Sequence, residues 1–449
     1  MPRKFASLCL AILAGQALSA STQADTLQQI YDLARANDPI YRSAQAALRS
    51  GEQARAIGRA ALLPNLSVNV TGEYRENIGD SGAGGGNNDS TSTGYSASLN
   101  QSLFDMSDWY TYRRGDIQAT QAEYRWDIAQ QNLITRTVTA YLNVLQAIDA
   151  LETTLSEKAA IESQLDQTQQ RFEVGLVAIT DVLEAQASFD DITATEFRSR
   201  GDLNIAFEQL TILTGQRHPN IAPLMENYPI EPTSPSTADE WVSLALQSSQ
   251  SLEVAKLSLE SAEVAARSSL TPYLPTLNGR VTYGGDFDDD PGTPDDSGAV
   301  VVSLNVPVLV FTGGSTLARR KQAYFDLDQA EEELLNTQRT LEQSIRTQHL
   351  TVSSNINQVR ARLQSIRSAQ SALEATQAGY EVGTRNLVDV LVAQQNLFRA
   401  RRNYLSSRYA YISSIFALKA AAGSLNPADI EALNRWLDDS AQISRSQYQ

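Results

Sequence analysis

Two long stretches of this chain, 65–218 and 308–426, contain no proline, although fourteen prolines are spread over its 449 residues. A proline inside a helix removes a hydrogen bond and clashes with the preceding turn, so these gaps permit helices far longer than ordinary domains use. The apolar residues indicate what such helices do. Ile134, Val138, Tyr141, Leu145 and Ile148 step by four and three, and Val352, Ile356, Val359, Leu363 and Ile366 repeat the pattern. That spacing is the narrow seam of a coiled coil, not the broad stripe of a core helix. It predicts helices over 106–173 and 314–381. Each is about 100 Å long at 1.5 Å per residue.

Both helices run into the same phrase. RFEVGLVAITDV (171–182) returns as GYEVGTRNLVDV (379–390), with Gly175 and Gly383 lying 208 residues apart. Glycine adopts the left-handed conformation that closes a helix without steric cost. Each phrase therefore predicts the turn of a helical hairpin, with return helices from near Thr180 and Val388 to about 215 and 422. The echo extends further. LLPNLSVNV (62–70) returns as YLPTLNGRV (273–281), SLNQSLF (98–104) as SLNVPVLVF (303–311), and Arg113-Arg114 as Arg319-Arg320. Such self-similarity marks an internal duplication. The copies are 25–218 and 238–424, each predicted to hold a helix, two strands and a long hairpin. Residues 219–237 hold five of the fourteen prolines and predict an irregular connector, and 425–449 form a C-terminal segment.

The strand segments alternate with a period of two. Leu66, Val68, Val70 and Tyr74 oppose Ser67, Asn69 and Thr71, and Tyr95, Ala97, Leu99 and Leu103 oppose Ser96, Ser98 and Asn100. In the second copy Leu277, Val281 and Tyr283 oppose Asn278, Arg280 and Thr282, while Val300, Val302, Leu304 and Val306 oppose Ser303 and Asn305. One apolar and one polar face per strand, with tyrosines near the ends, is the pattern of a lipid-facing barrel around water. A β-sandwich with one solvated face is the competing reading, but long coiled coils interrupt these strands. Polar, glycine-rich segments at 76–94 and 285–298 are predicted as external loops. Four strands cannot close a barrel, and lipid does not tolerate open edges. Eight strands from two chains would be filled by side chains, whereas twelve from three chains leave a pore.

Residues 1–24 read as an export signal: Arg3 and Lys4, then a short apolar run, then small residues through Ala20 and Ala24. Its loss removes Cys9, the one cysteine, and takes the net charge from −16 to −18. Thiol chemistry and nucleic-acid binding are thereby disfavoured. The acidic loop 286–296 has six aspartates but departs from calcium-loop spacing, with its glycine at 292 and Ser297 where a glutamate is needed. His218 and His349 are far apart in sequence, which argues against a histidine zinc site. The glycine run 82–86 precedes no helix and cradles no phosphate. Arg-Gly-Asp occurs at 114–116 and 200–202, both inside predicted helices rather than adhesive loops. No catalytic constellation stands out and no cofactor is expected; the chain reads as a conduit, not an enzyme.

Duplication, four strands, paired long helices and the tip phrases together resemble the TolC family of outer-membrane efflux ducts. The matching motifs are QLDQTQQRFEVGLVAITDV (164–182), YEVGTRNLVDVL (380–391), SLFDMSDW (102–109) and FTGG (311–314), with NPADIEALNRWL (426–437) placed in the equatorial collar. The resemblance implies a mixed α and β homotrimer in the outer membrane, with a twelve-stranded barrel, an α-helical tunnel through the periplasm and a closable tip. It further implies a periplasmic adaptor and an inner-membrane RND or ABC transporter as partners, in multidrug export or type I secretion. A duct dedicated to one secreted protein is the narrower alternative, and a soluble periplasmic coiled-coil scaffold is the alternative from another class.

The family closes its tip with links between subunits, which carry over to Thr180 and Asp181 of the first hairpin and to Tyr380 and Arg385 of the second. The repeat makes part of this readable from the residues: Asp181 and Asp389 are equivalent, but Arg385 corresponds to Val177, so only one tip has this cation. The family narrows at two aspartates three residues apart. Here Asp389 is present but the later position is Val392, and Glu184, equivalent to Val392 by the repeat, is the candidate replacement. The competing reading of Glu184 is a solvated helix residue.

Overall fold

The computed structural model of the chain describes residues 25–75, 90–287, 296–308, 312–438 and 443–444. The predicted signal with Cys9, the glycine run 82–86 and the middles of both predicted external loops lie outside the described residues. In chain order the elements are α1 (Leu27–Asn37), α2 (Pro39–Ala60), β1 (Asn65–Arg75), β2 (Ser90–Phe104), α3 (Met106–Glu173) and α4 (Ile179–Thr214). They continue with β3 (Asn220–Ile221), α5 (Ala238–Ser248), α6 (Gln250–Ser268), β4 (Thr276–Asp286), β5 (Asp296–Asn305), α7 (Ser315–Glu381), α8 (Leu387–Ala421), α9 (Pro427–Asn434) and β6 (Ile443–Ser444). The long helices thus have the predicted ends to within a residue. The chain divides into two compact units, one within Met1–Ser43, Ala129–Ser249 and Leu341–Gln449, the other within Ala44–Ile128 and Gln250–Thr340.

The second unit holds one antiparallel sheet in the order β1-β2-β4-β5. Its register aligns Leu66 with Leu99, Leu99 with Val281 and Val281 with Val300, so the apolar residues share a face across all four strands. On that face Leu66, Val68, Val70, Val300, Val302 and Leu304 are all exposed. The other face is polar: Ser67 and Ser98 hydroxyls are hydrogen-bonded at 2.8 Å, and Arg280 Nε donates to Asn100 Oδ1 at 2.7 Å. The predicted loops are shorter than expected. Residues 90–94, 285–286 and 296–298 belong to strands. Ladder hydrogen bonds are made by the backbone, so serine, threonine and glycine extend a sheet where no apolar pattern announces it. Asp296 helps at this end, accepting from the hydroxyls of both Tyr95 and Tyr283.

Arg114-Gly115-Asp116 lies in α3 and Arg200-Gly201-Asp202 in α4, as expected. Gly115 has a packing reason: a Cβ there would fall 2.4 Å from the carbonyl oxygen of Ala54, so α2 and α3 touch backbone to backbone. Arg55 spans the same pair, its Nε 2.8 Å from Asp116 Oδ1.

In the first unit the α3 seam is buried throughout: Ile134, Val138, Tyr141, Leu145 and Ile148 are all nearly solvent-free. The Tyr141 hydroxyl donates to Ala222 O at 2.6 Å, which satisfies its one polar atom. The α7 seam departs from expectation. Val352, Ile356 and Val359 are buried, but Leu363 is 40% exposed and Ile366 is half-buried. The spacing persists beyond Val359 where the chain's own described residues supply too little to cover it.

Two further details go beyond the sequence reading. The connector is less irregular than predicted, because β3 pairs with β6 and Met225 N donates to Trp436 O at 2.9 Å. His218 is not idle either. Its Nδ1 lies 2.9 Å from Asp25 Oδ2 and its Nε2 2.7 Å from Thr214 Oγ1. Hydroxyl, imidazole and carboxylate stand in a row, yet Thr214 and His218 are sealed from solvent, so the row pins the start of α1 to the end of α4.

Polar ties join α3 to α8. Tyr409 OH donates to Asp149 Oδ2 at 2.6 Å, and Arg402 Nη1 meets Glu157 Oε2 at 2.5 Å. Burial raises the Asp149 carboxyl to about 6, although the Tyr409 hydrogen bond opposes the shift. Within the first hairpin, Lys158 and Arg200 both bind Glu196 at 2.8 Å and hold its carboxyl below the usual range.

Candidate gate at the hairpin tips

Both tips close by the same backbone device. Gly175 and Gly383 each have φ +79°, and a Cβ there would meet open space, so the conformation and not crowding requires glycine. Leu176 N donates to Arg171 O at 2.8 Å and Thr384 N to Gly379 O at 2.8 Å, the six-to-one bond of a Schellman ending.

The helices that follow start differently. α8 has a full capping box: Asn386 Oδ1 accepts from Asp389 N at 2.8 Å, and Asp389 Oδ2 accepts from Asn386 N at 3.4 Å. α4 starts at Ala178, which has no side-chain oxygen to offer. Equivalent aspartates therefore face different demands. Asp389 is engaged in its cap and lies 3.8 Å from Nη1 of Arg385, in the turn just before α8. Asp181 makes no side-chain hydrogen bond or ion pair among the described residues. Thr180, Glu184 and Arg385 are exposed at the tips.

The two hairpins of one chain meet at a small apolar cluster. Leu165, Ala185, Leu387 and Leu391 are buried together, and Val182, Phe189 and Tyr380 pack against them. The Tyr380 hydroxyl is enclosed and has no hydrogen-bond partner among the described residues. Over the Tyr380 ring lies the Arg171 guanidinium, 5.3 Å from the centroid. Around the cluster Val174, Leu176 and Val382 are each more than 70% exposed.

The six side chains singled out from sequence thus sit on the two tips; the links expected of them run between copies and not within one chain. Among the described residues the Asp181 side chain bonds to neither Arg385 nor Tyr380, and Arg385 pairs with Asp389. Sequence reasoning missed two contributors. Arg171 is one. Gly379 is the other: a Cβ there would fall 2.8 Å from Arg385 Cγ, so its glycine makes room for Arg385 to fold over the helix end. The repeat held a signal for both, since Gly379 is the position equivalent to Arg171.

No metal-binding group of three or more His, Cys, Asp or Glu occurs among the described residues. No described helix is long and apolar enough to cross a membrane.

The outer membrane efflux protein family model matches residues 30–216 and 241–424. The chain is 36% identical to outer membrane protein TolC of Escherichia coli over 443 residues, covering 95% of this chain and 89% of that protein. It is 31% identical to the alkaline protease secretion protein AprF of Pseudomonas aeruginosa, covering 89% and 85% respectively. The crystal structure of the Campylobacter jejuni CmeC outer membrane channel superposes with a TM-score of 0.75 at 18% identity, over 92% of this chain and 90% of that one. The fold is that of outer-membrane channels and not of enzymes, and the site is the cell outer membrane with a helical portion in the periplasm. This chain belongs to the outer membrane efflux protein family, of the TolC kind.

Proposed function

We propose that three copies of this chain close a twelve-stranded barrel and form the exit duct of tripartite efflux pumps or type I secretion systems. A periplasmic adaptor and an inner-membrane RND or ABC transporter would deliver the cargo to its tip. The observation that carries this reading is the sheet: four strands with an exposed apolar face, ending in unpaired edges at β1 and β5. Lipid cannot satisfy such edges, so other copies must. The uncovered stretch of the α7 seam at Leu363 supports the same assembly, because a second chain can bury what this one leaves open.

The tip supports a clasp between copies. Asp181 and the Tyr380 hydroxyl have unused hydrogen-bonding capacity, and Arg385 is tied only loosely to Asp389 at 3.8 Å. In a ring of three, Thr180 and Asp181 of one copy would engage Arg385 and Tyr380 of the next. Asp389 and Glu184 would line the narrowest point with negative charge.

Deleting the chain's gene in its native cell tests the role. Sensitivity to several unrelated toxic compounds should rise, and the purified protein in detergent should have the mass of three chains. Loss of a single secreted protein with unchanged drug sensitivity would instead favour the dedicated duct, a reading supported by the similarity to AprF. A monomer that leaves membranes without detergent would contradict both.

A further inference from the structure

We propose that Arg171 is a positioning residue of the gate, holding the two hairpins of one chain together by seating the Tyr380 ring on the apolar cluster between them. Arg171 lies in the last turn of α3, at the first tip, whereas Tyr380 lies in the last turn of α7, at the second. Their contact, 5.3 Å from guanidinium to ring centroid, is within the range of a favourable cation–π interaction. It therefore bridges hairpins, not helices of one hairpin.

Two observations show that Tyr380 needs such a hold. Its hydroxyl is enclosed without a hydrogen-bond partner among the described residues, an arrangement that disfavours the packed position relative to one where water or another group can reach it. The cluster beneath it is small, with four buried residues, and the tips around it expose Val174, Leu176 and Val382. Apolar packing here is modest, so the cation over the ring decides where the ring sits.

The duplication sharpens the assignment. With Gly175 aligned to Gly383, Arg171 corresponds to Gly379 and Arg385 to Val177. Each tip thus has one arginine at a position where the other has none. Arg385 follows its turn, is 61% exposed and is tied only loosely to Asp389 at 3.8 Å, which leaves it accessible to a neighbouring copy. Arg171 precedes its turn and lies against the partner hairpin of its own chain. The two arginines divide the labour: one links chains, the other links the hairpins within a chain.

This inference rests on the gated-duct reading, so its test includes a readout that needs no current. Cysteines at the exposed positions Val174 and Val382 take spin labels, in doubly labelled chains diluted among unlabelled ones so that only distances within a chain count. The wild-type distribution should be narrow. Arg171→Gln should broaden it, and Arg171→Lys should restore most of the narrowness because the cation is kept. In planar bilayers Arg171→Gln should raise open probability about threefold, matching a surface cation–π contact. The same factor should appear in a Tyr380→Phe background, where the ring remains, and vanish in Tyr380→Leu, where it is gone. An unchanged distance distribution, or an equal Arg171→Gln effect with and without the ring, overturns the proposal. Absence of any current with a broadened distribution would sink the gate reading and leave the Arg171 contact standing.

Discussion

Asp149 lies between α3 and α8, with Tyr409 donating to it, Glu152 adding like charge and Arg408 nearby adding opposite charge. Its carboxyl is raised to about 6 in the fold, against about 3.9 in an unfolded chain. The native state therefore binds the extra proton between those values, so the contribution of this group to stability is fully present below about pH 4 and is lost as pH rises through 6. The loss amounts to about 3 kcal/mol at most. Asp149→Asn keeps an acceptor for Tyr409 and removes the charge. It should raise the thermal midpoint at pH 8 and flatten the pH dependence between 4 and 6. An unaltered pH profile would mean that Asp149 is already ionised at little cost. Charge pairs of this kind were not legible in the sequence. Asp149 and Tyr409 are 260 residues apart, and neither breaks a local pattern. Arg385 was legible because the repeat offered a built-in comparison with Val177. Arg171 stood against Gly379 in the same comparison, but what an arginine touches depends on how two hairpins pack, which spacing along one helix does not determine.

Elements were easier to read than contacts. Glycines at φ +79° fixed both hairpin turns, and the absence of proline fixed the helices through to Glu173 and Glu381. Strand faces were legible because the period of two survives across the register pairs, apart from one shift between Ser102 and Phe104 of β2. Strand ends were not, since Ser90–Gly94 and Asp296–Gly298 extend the sheet through backbone pairing that no apolar pattern announces. The α7 seam misled in its final turns, because a heptad states that a helix has a partner without stating which chain supplies it. The two faces of the sheet make a direct prediction. Val300→Lys places a charge on the apolar face and should cost about 2–4 kcal/mol near the bilayer midplane. Ser98→Lys, on the polar face, should be tolerated. The yield of heat-resistant oligomer in detergent gels checks both, and equal losses would contradict the assignment of faces.

The molecule as a whole is proposed to be a conduit shut at its tip by contacts between copies. The chain is strongly acidic, with a net charge of −16, and Asp389 and Glu184 add charge at the proposed constriction. A narrow, low-dielectric pore focuses such a field and favours cations. Each clasp link is a charge-assisted contact in a wet setting, of about 1 kcal/mol. Three links acting together would hold the closed state by about 3 kcal/mol, roughly a hundredfold in population. Asp181→Ala and Arg385→Ser remove the same contact, so the double variant should add little to either. The most direct test is single-channel recording in planar bilayers under a salt gradient, comparing wild type with Arg385→Ser. The account predicts cation-selective reversal for both, small and brief openings for wild type, and larger or longer openings for Arg385→Ser. Identical currents from the two proteins, or selectivity for anions, would contradict it.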